Sequence, residues 1–147
     1  MTKFGRCLVK FLVFFVSLFI STQVIAEDMT LEMLSKDKNG SRNVFSEEIL
    51  EIAVGTTVTW RATDKGHNVE MVASPTDMKF KSQNGKNASI TFEAPGIYYY
   101  WCTPHKGMGM IGLVVVGSDT SNKAEIAMAK AVGKSKKKLE ELLAQIN

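Results

Sequence analysis

Four side chains in this 147-residue sequence could share one metal-centred chemistry. Cys102, His105 and Met110 fall in the segment Cys102-Thr103-Pro104-His105-Lys106-Gly107-Met108-Gly109-Met110. His67 lies upstream in the turn Lys65-Gly66-His67-Asn68, and these are the 2 histidines of the chain. Thiolate and thioether are soft donors that suit Cu(I), and imidazole is accepted by both oxidation states of copper. A trigonal His₂Cys set with a long axial Met is an electron-transfer arrangement. Any rearrangement that accompanies the redox change slows such transfer, so a geometry tolerable to both states, held by a rigid scaffold, favours it. Four protein ligands also leave no open position for a substrate. The set suits a carrier.

Other readings of the same residues stay open at this point. Zinc could take Cys102 and His105, although structural zinc sites favour paired Cys or His motifs and rarely use Met. Cys102 could be a nucleophile beside one histidine, which leaves the other without a task. A copper chaperone or storage protein would use the same ligands but release its metal readily to a chelator. A copper enzyme would need an open or second metal site, and no spare His or Cys remains to build one.

The start of the chain bears on the thiol. Lys3, Arg6 and Lys10 precede the apolar run from Phe11 to Ile20, and Val24-Ile25-Ala26 supplies residues that a signal peptidase accepts. The run is too short for a membrane anchor, which needs about 20 apolar residues. Residues 1–26 are therefore predicted to be a cleaved signal peptide and 27–147 a single domain. Cleavage would remove Cys7 and leave Cys102 alone, in a compartment where an unoccupied thiol is a liability. The 18 Lys and Arg residues include the three in the signal, whereas all 15 acids lie after it, leaving 15 basic against 15 acidic. Bulk charge gives no case for nucleic-acid binding.

The elements that must position these residues read as short strands. Thr30 to Leu34 alternates with period two, and Lys38-Asn39-Gly40-Ser41 turns. Ile49–Val54 and Thr57–Arg61 flank the Gly55-Thr56 turn. Ala88–Phe92 alternates, Ile97–Trp101 is strand-like through its aromatic residues, and Ile111–Val116 closes the unit. Seven or eight strands at this spacing predict an all-β Greek-key sandwich over 27–117. The loop after Trp101 and the turn holding His67 could then meet at one end of it.

Residues 118–147 are predicted to be a helical extension packed on the sandwich. Ala124, Ala127, Met128, Ala131 and Val132 share one helical face, Gly133 is a stop, and Ser135 is the expected N-cap of a second helix. Leu139, Leu142, Leu143 and Ile146 form that helix's apolar stripe, and Lys136-Lys137-Lys138 reads as a solvated face.

The spacing Cys-x₂-His-x₄-Met, with His67-Asn68 upstream, resembles that of the cupredoxins, the type 1 blue-copper family. The phrases Asp64-Lys65-Gly66-His67-Asn68-Val69-Glu70 and Cys102-Thr103-Pro104-His105, then Met108-Gly109-Met110 and two trailing helices, resemble the pseudoazurin branch across essentially all of 27–147. That resemblance implies one copper ion cycling between Cu(I) and Cu(II), with His67, Cys102 and His105 equatorial and Met110 axial. Met108 matches a non-ligand position, and Trp101 and Lys106 stand where the family's usual residues are not expected. The resemblance further implies a monomeric periplasmic carrier, not an enzyme, with no membrane attachment in its mature form. Its implied partners are nitrite reductases of denitrification and c-type cytochromes. Lys65, Lys79, Lys81, Lys86 and Lys106 are candidates for a basic ring that steers such a partner.

Overall fold

A computed structural model describes residues 27–147, so the signal-peptide expectation for 1–26 lies outside the described residues. Eight strands form two four-stranded sheets: β1 (Met29–Lys36), β2 (Arg42–Phe45), β3 (Ile49–Ile52), β4 (Thr57–Arg61), β5 (Glu70–Ala73), β6 (Ala88–Thr91), β7 (Gly96–Trp101) and β8 (Ile111–Val116). The strand orders are β2-β1-β4-β6 and β3-β8-β7-β5. β1 pairs β4 and β3 pairs β8 in parallel, whereas β7 and β8 form an antiparallel pair. Two helices follow, α1 (Lys123–Ala127) and α2 (Ser135–Leu143). The expected sandwich with a helical extension is what the chain forms.

β7 and β8 explain why their sequences are nearly unbroken apolar runs. Every residue of both strands is buried, because both faces of this sheet are covered. Tyr98 and Tyr100 of β7, with Val114 and Val116 of β8, point into the core between the sheets. Ile97, Tyr99 and Trp101, with Ile111, Leu113 and Val115, point the other way, against Ile126, Leu139, Leu142, Leu143 and Ile146 of the C-terminal segment. Period-two alternation thus sorts one strand between two cores.

The inter-sheet core is aromatic. Tyr100 meets Phe45 and Trp60 edge-on at 4.9 and 5.1 Å, and Phe92 meets Tyr98 at 4.8 Å, geometries that favour ring edges on ring faces. Tyr98 closes the bend before β7 by donating its hydroxyl to the Ala94 carbonyl at 2.9 Å. Directly across the ladder from Tyr100 is Gly112. A Cβ there would sit 2.5 Å from the Tyr100 Cζ, so only glycine lets the phenol ring lie across β8. Gly112→Ala is expected to lower stability by about 1–3 kcal/mol, the usual cost of overpacking, read as a lower denaturant midpoint with an unchanged slope.

The helical extension departs from its expected details. α1 spans only Lys123–Ala127, and its buried residue is Ile126. Met128 is 82% exposed, so the expected face of Ala124, Ala127 and Met128 is turned outward. Docking decides this: the Asn122 side chain bonds both the N–H and the carbonyl of Ile97 at 2.9 Å, and that anchor turns Ile126 inward. Ser135 does not cap α2. It is the helix's first residue, fully buried, and its hydroxyl donates to the Lys106 carbonyl instead.

Candidate metal centre

The thiol is delivered by the end of β7. Cys102 follows Trp101 directly, is fully buried, and joins its backbone N–H to the Met110 carbonyl at 3.0 Å. A 3₁₀ turn over Thr103–Met108 comes next, with Pro104 in its first turn and Gly109 in a left-handed conformation (φ 96°) at its end. That turn brings His105 back, its N–H bonded to the Cys102 carbonyl at 3.0 Å. Met110 donates its own N–H to the His105 carbonyl at 3.3 Å and is buried in the same apolar cluster as Cys102.

His67 lies on the loop that crosses from β4 of one sheet to β5 of the other. Gly66 before it has a φ of +90°, which only glycine adopts freely, and the Gly85 N–H holds the His67 carbonyl at 2.8 Å. Its Nε2 faces the Ser35 hydroxyl of β1 at 3.1 Å, leaving Nδ1 for the interior of the site. Fixing one ring nitrogen in this way sets the orientation of the other.

The loops meet. His67 Nδ1 and His105 Nδ1 are 3.1 Å apart, and the Cys102 sulfur is 3.8 Å from the first and 3.4 Å from the second. No other group of three His, Cys, Asp or Glu among the described residues converges in this way. An ion about 2.0–2.1 Å from each nitrogen and about 2.3 Å from sulfur, lengths typical of zinc-sized cations, would span such a triangle with angles of about 100–120°. Two nitrogens and a sulfur are thus spaced to share one metal ion, and Met110 is buried in the same cluster as the sulfur. Asn68 locks the loops together. Its Oδ1 accepts the Thr103 N–H at 2.8 Å and its Nδ2 donates to the Thr103 hydroxyl at 3.0 Å.

Electrostatics favour neutral imidazoles. Burial lowers the pKa of His67, the nearby His105 lowers it further, and Asp64 only partly opposes this. Burial alone lowers that of His105. Burial also raises the Cys102 thiol, against the pull of backbone N–H groups of Asn68 and His105, so a cation must displace a proton to bind there. The imidazole shifts carry a sign. The unfolded chain takes up protons near the ordinary value of 6.5, before the folded one does. Stability of the metal-free protein therefore falls as pH drops through 6.5 and levels off below the folded-state values. Urea unfolding of apoprotein is expected to give a lower midpoint at about pH 5 than at about pH 7.5.

Pro104, Gly107 and Met108 are exposed around the partly exposed His105, with Met108 57% exposed. Of the five lysines that were candidates for a basic ring, Lys79 is paired with Asp77, Lys81 lies 3.4 Å from Glu70, and Lys106 sits 4.5 Å above the Trp101 ring. Ser35, Glu70 and Ser135 touch the site's framework, and the sequence reading assigns none of them a role there, Ser135 being expected only as a helix cap. Nothing in their spacing marks them, since each acts through a contact 29 or more residues away.

Comparison with known proteins settles the family. A family profile described as copper binding proteins of the plastocyanin/azurin family matches residues 31–117. The pseudoazurin of Paracoccus pantotrophus is 36% identical over 80% of this chain and 82% of its own. The solved pseudoazurin structure from Sinorhizobium meliltoi superposes with a TM-score of 0.77 at 36% identity, covering 82% of this chain and 97% of that one. The chain belongs to the pseudoazurins, within the plastocyanin/azurin family of copper-binding proteins. The pseudoazurin of Hyphomicrobium denitrificans gives a TM-score of 0.75 at 33% identity, covering 82% of this chain and 98% of that one. Copper binding and single-electron transfer are therefore the chain's work, and it is a carrier rather than an enzyme.

Proposed function

We propose that His67 and His105 through Nδ1, Cys102 through its thiolate, and Met110 through its thioether would hold the copper ion. The observation that carries this reading is the triangle of Nδ1, Nδ1 and Sγ with edges of 3.1, 3.4 and 3.8 Å, contributed by two loops and backed by buried Met110. Copper supplies a one-electron couple there. The protein's own groups supply the rest: Ser35 fixes the His67 ring, Asn68 ties the loops, and burial excludes water from the thiol. His105 offers a partly exposed edge within the Pro104, Gly107 and Met108 patch, and electrons enter and leave by that edge.

The carrier works in the periplasm after cleavage behind Ala26, as a monomer, donating to a nitrite reductase or exchanging electrons with a c-type cytochrome. The charge pattern of residues 1–26 and the kinship with pseudoazurins support this reading, and among the described residues no helix is long and apolar enough to cross a membrane. Titration of purified apoprotein with Cu(II) tests the centre: intense visible absorption from sulfur-to-copper charge transfer should saturate at one ion per chain. N-terminal sequencing of protein recovered from the periplasm should begin at Glu27, and any other start within the domain would overturn the cleavage site.

A further inference from the structure

Cys102 is bracketed by one carboxylate. Glu70 Oε2 accepts the indole N–H of Trp101 at 2.7 Å and the hydroxyl of Thr103 at 2.7 Å, which are the residues immediately before and after the thiol. Glu70 opens β5, three residues beyond His67, and its backbone pairs with Trp101 across the β5–β7 ladder. The Thr103 hydroxyl, having given its proton to Glu70, takes the Asn68 amide proton at 3.0 Å. A continuous chain of hydrogen bonds therefore runs from the strand after one histidine to both flanks of the cysteine. Two cations surround it: Lys81 at 3.4 Å from Glu70 Oε1, and Lys106 at 4.5 Å over the Trp101 ring.

Glutamate differs from glutamine here in two separable ways. Its shape and lone pairs hold Trp101 and Thr103, which fixes where the intervening Cys102 can point its sulfur. Its charge, three-quarters shielded from water, acts on the copper couple across the protein interior, where screening is weaker than in solvent. A negative charge near the site favours the more positive oxidation state. Trp101 matters for the first role, because its indole N–H reaches the carboxylate while its ring face receives Lys106.

From this arrangement we infer that Glu70 is a positioning residue for the Cys102 thiolate and that its negative charge biases the copper couple toward Cu(II). The inference rests on the ligand set proposed above. In the copper-loaded full domain, Glu70→Gln keeps oxygen and shape but drops the charge. It is expected to raise the ratio of Cu(I) to Cu(II) at fixed ambient potential about tenfold, which is about 59 mV for a one-electron couple, with the visible band preserved. Glu70→Ala removes the tether as well and should change the intensity of the charge-transfer band and the copper hyperfine coupling in electron paramagnetic resonance. An unchanged potential in Glu70→Gln would overturn the charge bias, and an unchanged spectrum in Glu70→Ala would overturn the positioning role. If Glu70→Ala fails to fold, Trp101→Phe, which deletes a single donor to the same oxygen, carries the spectroscopic comparison with the same two readings. Wild-type protein that never develops the band would instead sink the ligand set, and the role of Glu70 with it.

Discussion

Replacing Cys102 by Ser is expected to abolish the intense visible absorption of the copper-loaded protein and to weaken Cu(II) binding by more than about 100-fold. Altering a group that merely orients a ligand already costs about 10–100-fold, and Cys102 is the sulfur vertex of the site triangle rather than a support. Its neighbours at 3.4 and 3.8 Å are both imidazole nitrogens, so no second thiolate can replace it among the described residues. The hydroxyl of Ser is harder, stays protonated, and holds its lone pairs too low in energy to give a charge-transfer band in the visible. Because the thiol is fully buried and about isosteric with the hydroxyl, the fold should survive, and circular dichroism should match that of the wild type. A coloured Cys102→Ser protein would mean that copper is bound by some other group.

Gly133→Ala is expected to destabilise the protein by about 2–5 kcal/mol and to hasten copper release to a chelator. Gly133 has a φ of +56°, and a Cβ there would lie 2.5 Å from the Gly107 carbonyl oxygen and 3.1 Å from the Gly107 Cα. The left-handed backbone costs a residue with a side chain about 1–2 kcal/mol, and forcing atoms apart in a packed contact adds about 1–3 kcal/mol. The obstruction is backbone, which cannot swing aside. Gly107 belongs to the 3₁₀ turn that carries His105, and the two residues after Gly133 grip the same turn: Lys134 N–H holds the Gly107 carbonyl at 3.0 Å and the Ser135 hydroxyl holds the Lys106 carbonyl. Relief must therefore move either the start of α2 or the histidine loop. Gly40→Ala is the control, since Gly40 also has a positive φ (+89°) but its nearest neighbour would be 3.9 Å away. It should cost the backbone share alone and leave copper release unchanged.

The contrast between His67 and Glu70 shows what could be read from the chain. His67, Cys102, His105 and Met110 are rare residue types in fixed spacing, and their chemistry singles them out before any fold is known. Six of the strands were legible for the related reason that their apolar runs and turn residues are local signals. β2 and β5 were not. β2 contains Asn43 at a φ of 52°, which breaks its alternation, and β5 is Glu-Met-Val-Ala with a register shift between Met71 and Ala73. Both are strands because neighbours impose pairing on them, which is a tertiary override of weak propensity. The face of α1 was misread because alanines dominated the expected stripe, and alanine gains little from burial. Ile126, the one large apolar side chain in the helix, outweighs them once Asn122 is anchored to β7. The site contacts of Glu70 and Ser135 were invisible because an acid or a serine is ordinary in sequence, and only distant partners give it that task.

The sorting of β7 between two cores has a consequence for how the protein comes apart. Ile97, Tyr99 and Trp101 pack under the C-terminal segment while Tyr98 and Tyr100 pack between the sheets, and Cys102 is the next residue along the same strand. The tail cannot peel away without baring one side of the strand that bears the sulfur, and the sandwich cannot loosen without freeing the other. Colour and tertiary order should thus vanish together on heating, making the copper chromophore a built-in gauge of whether the whole domain is folded.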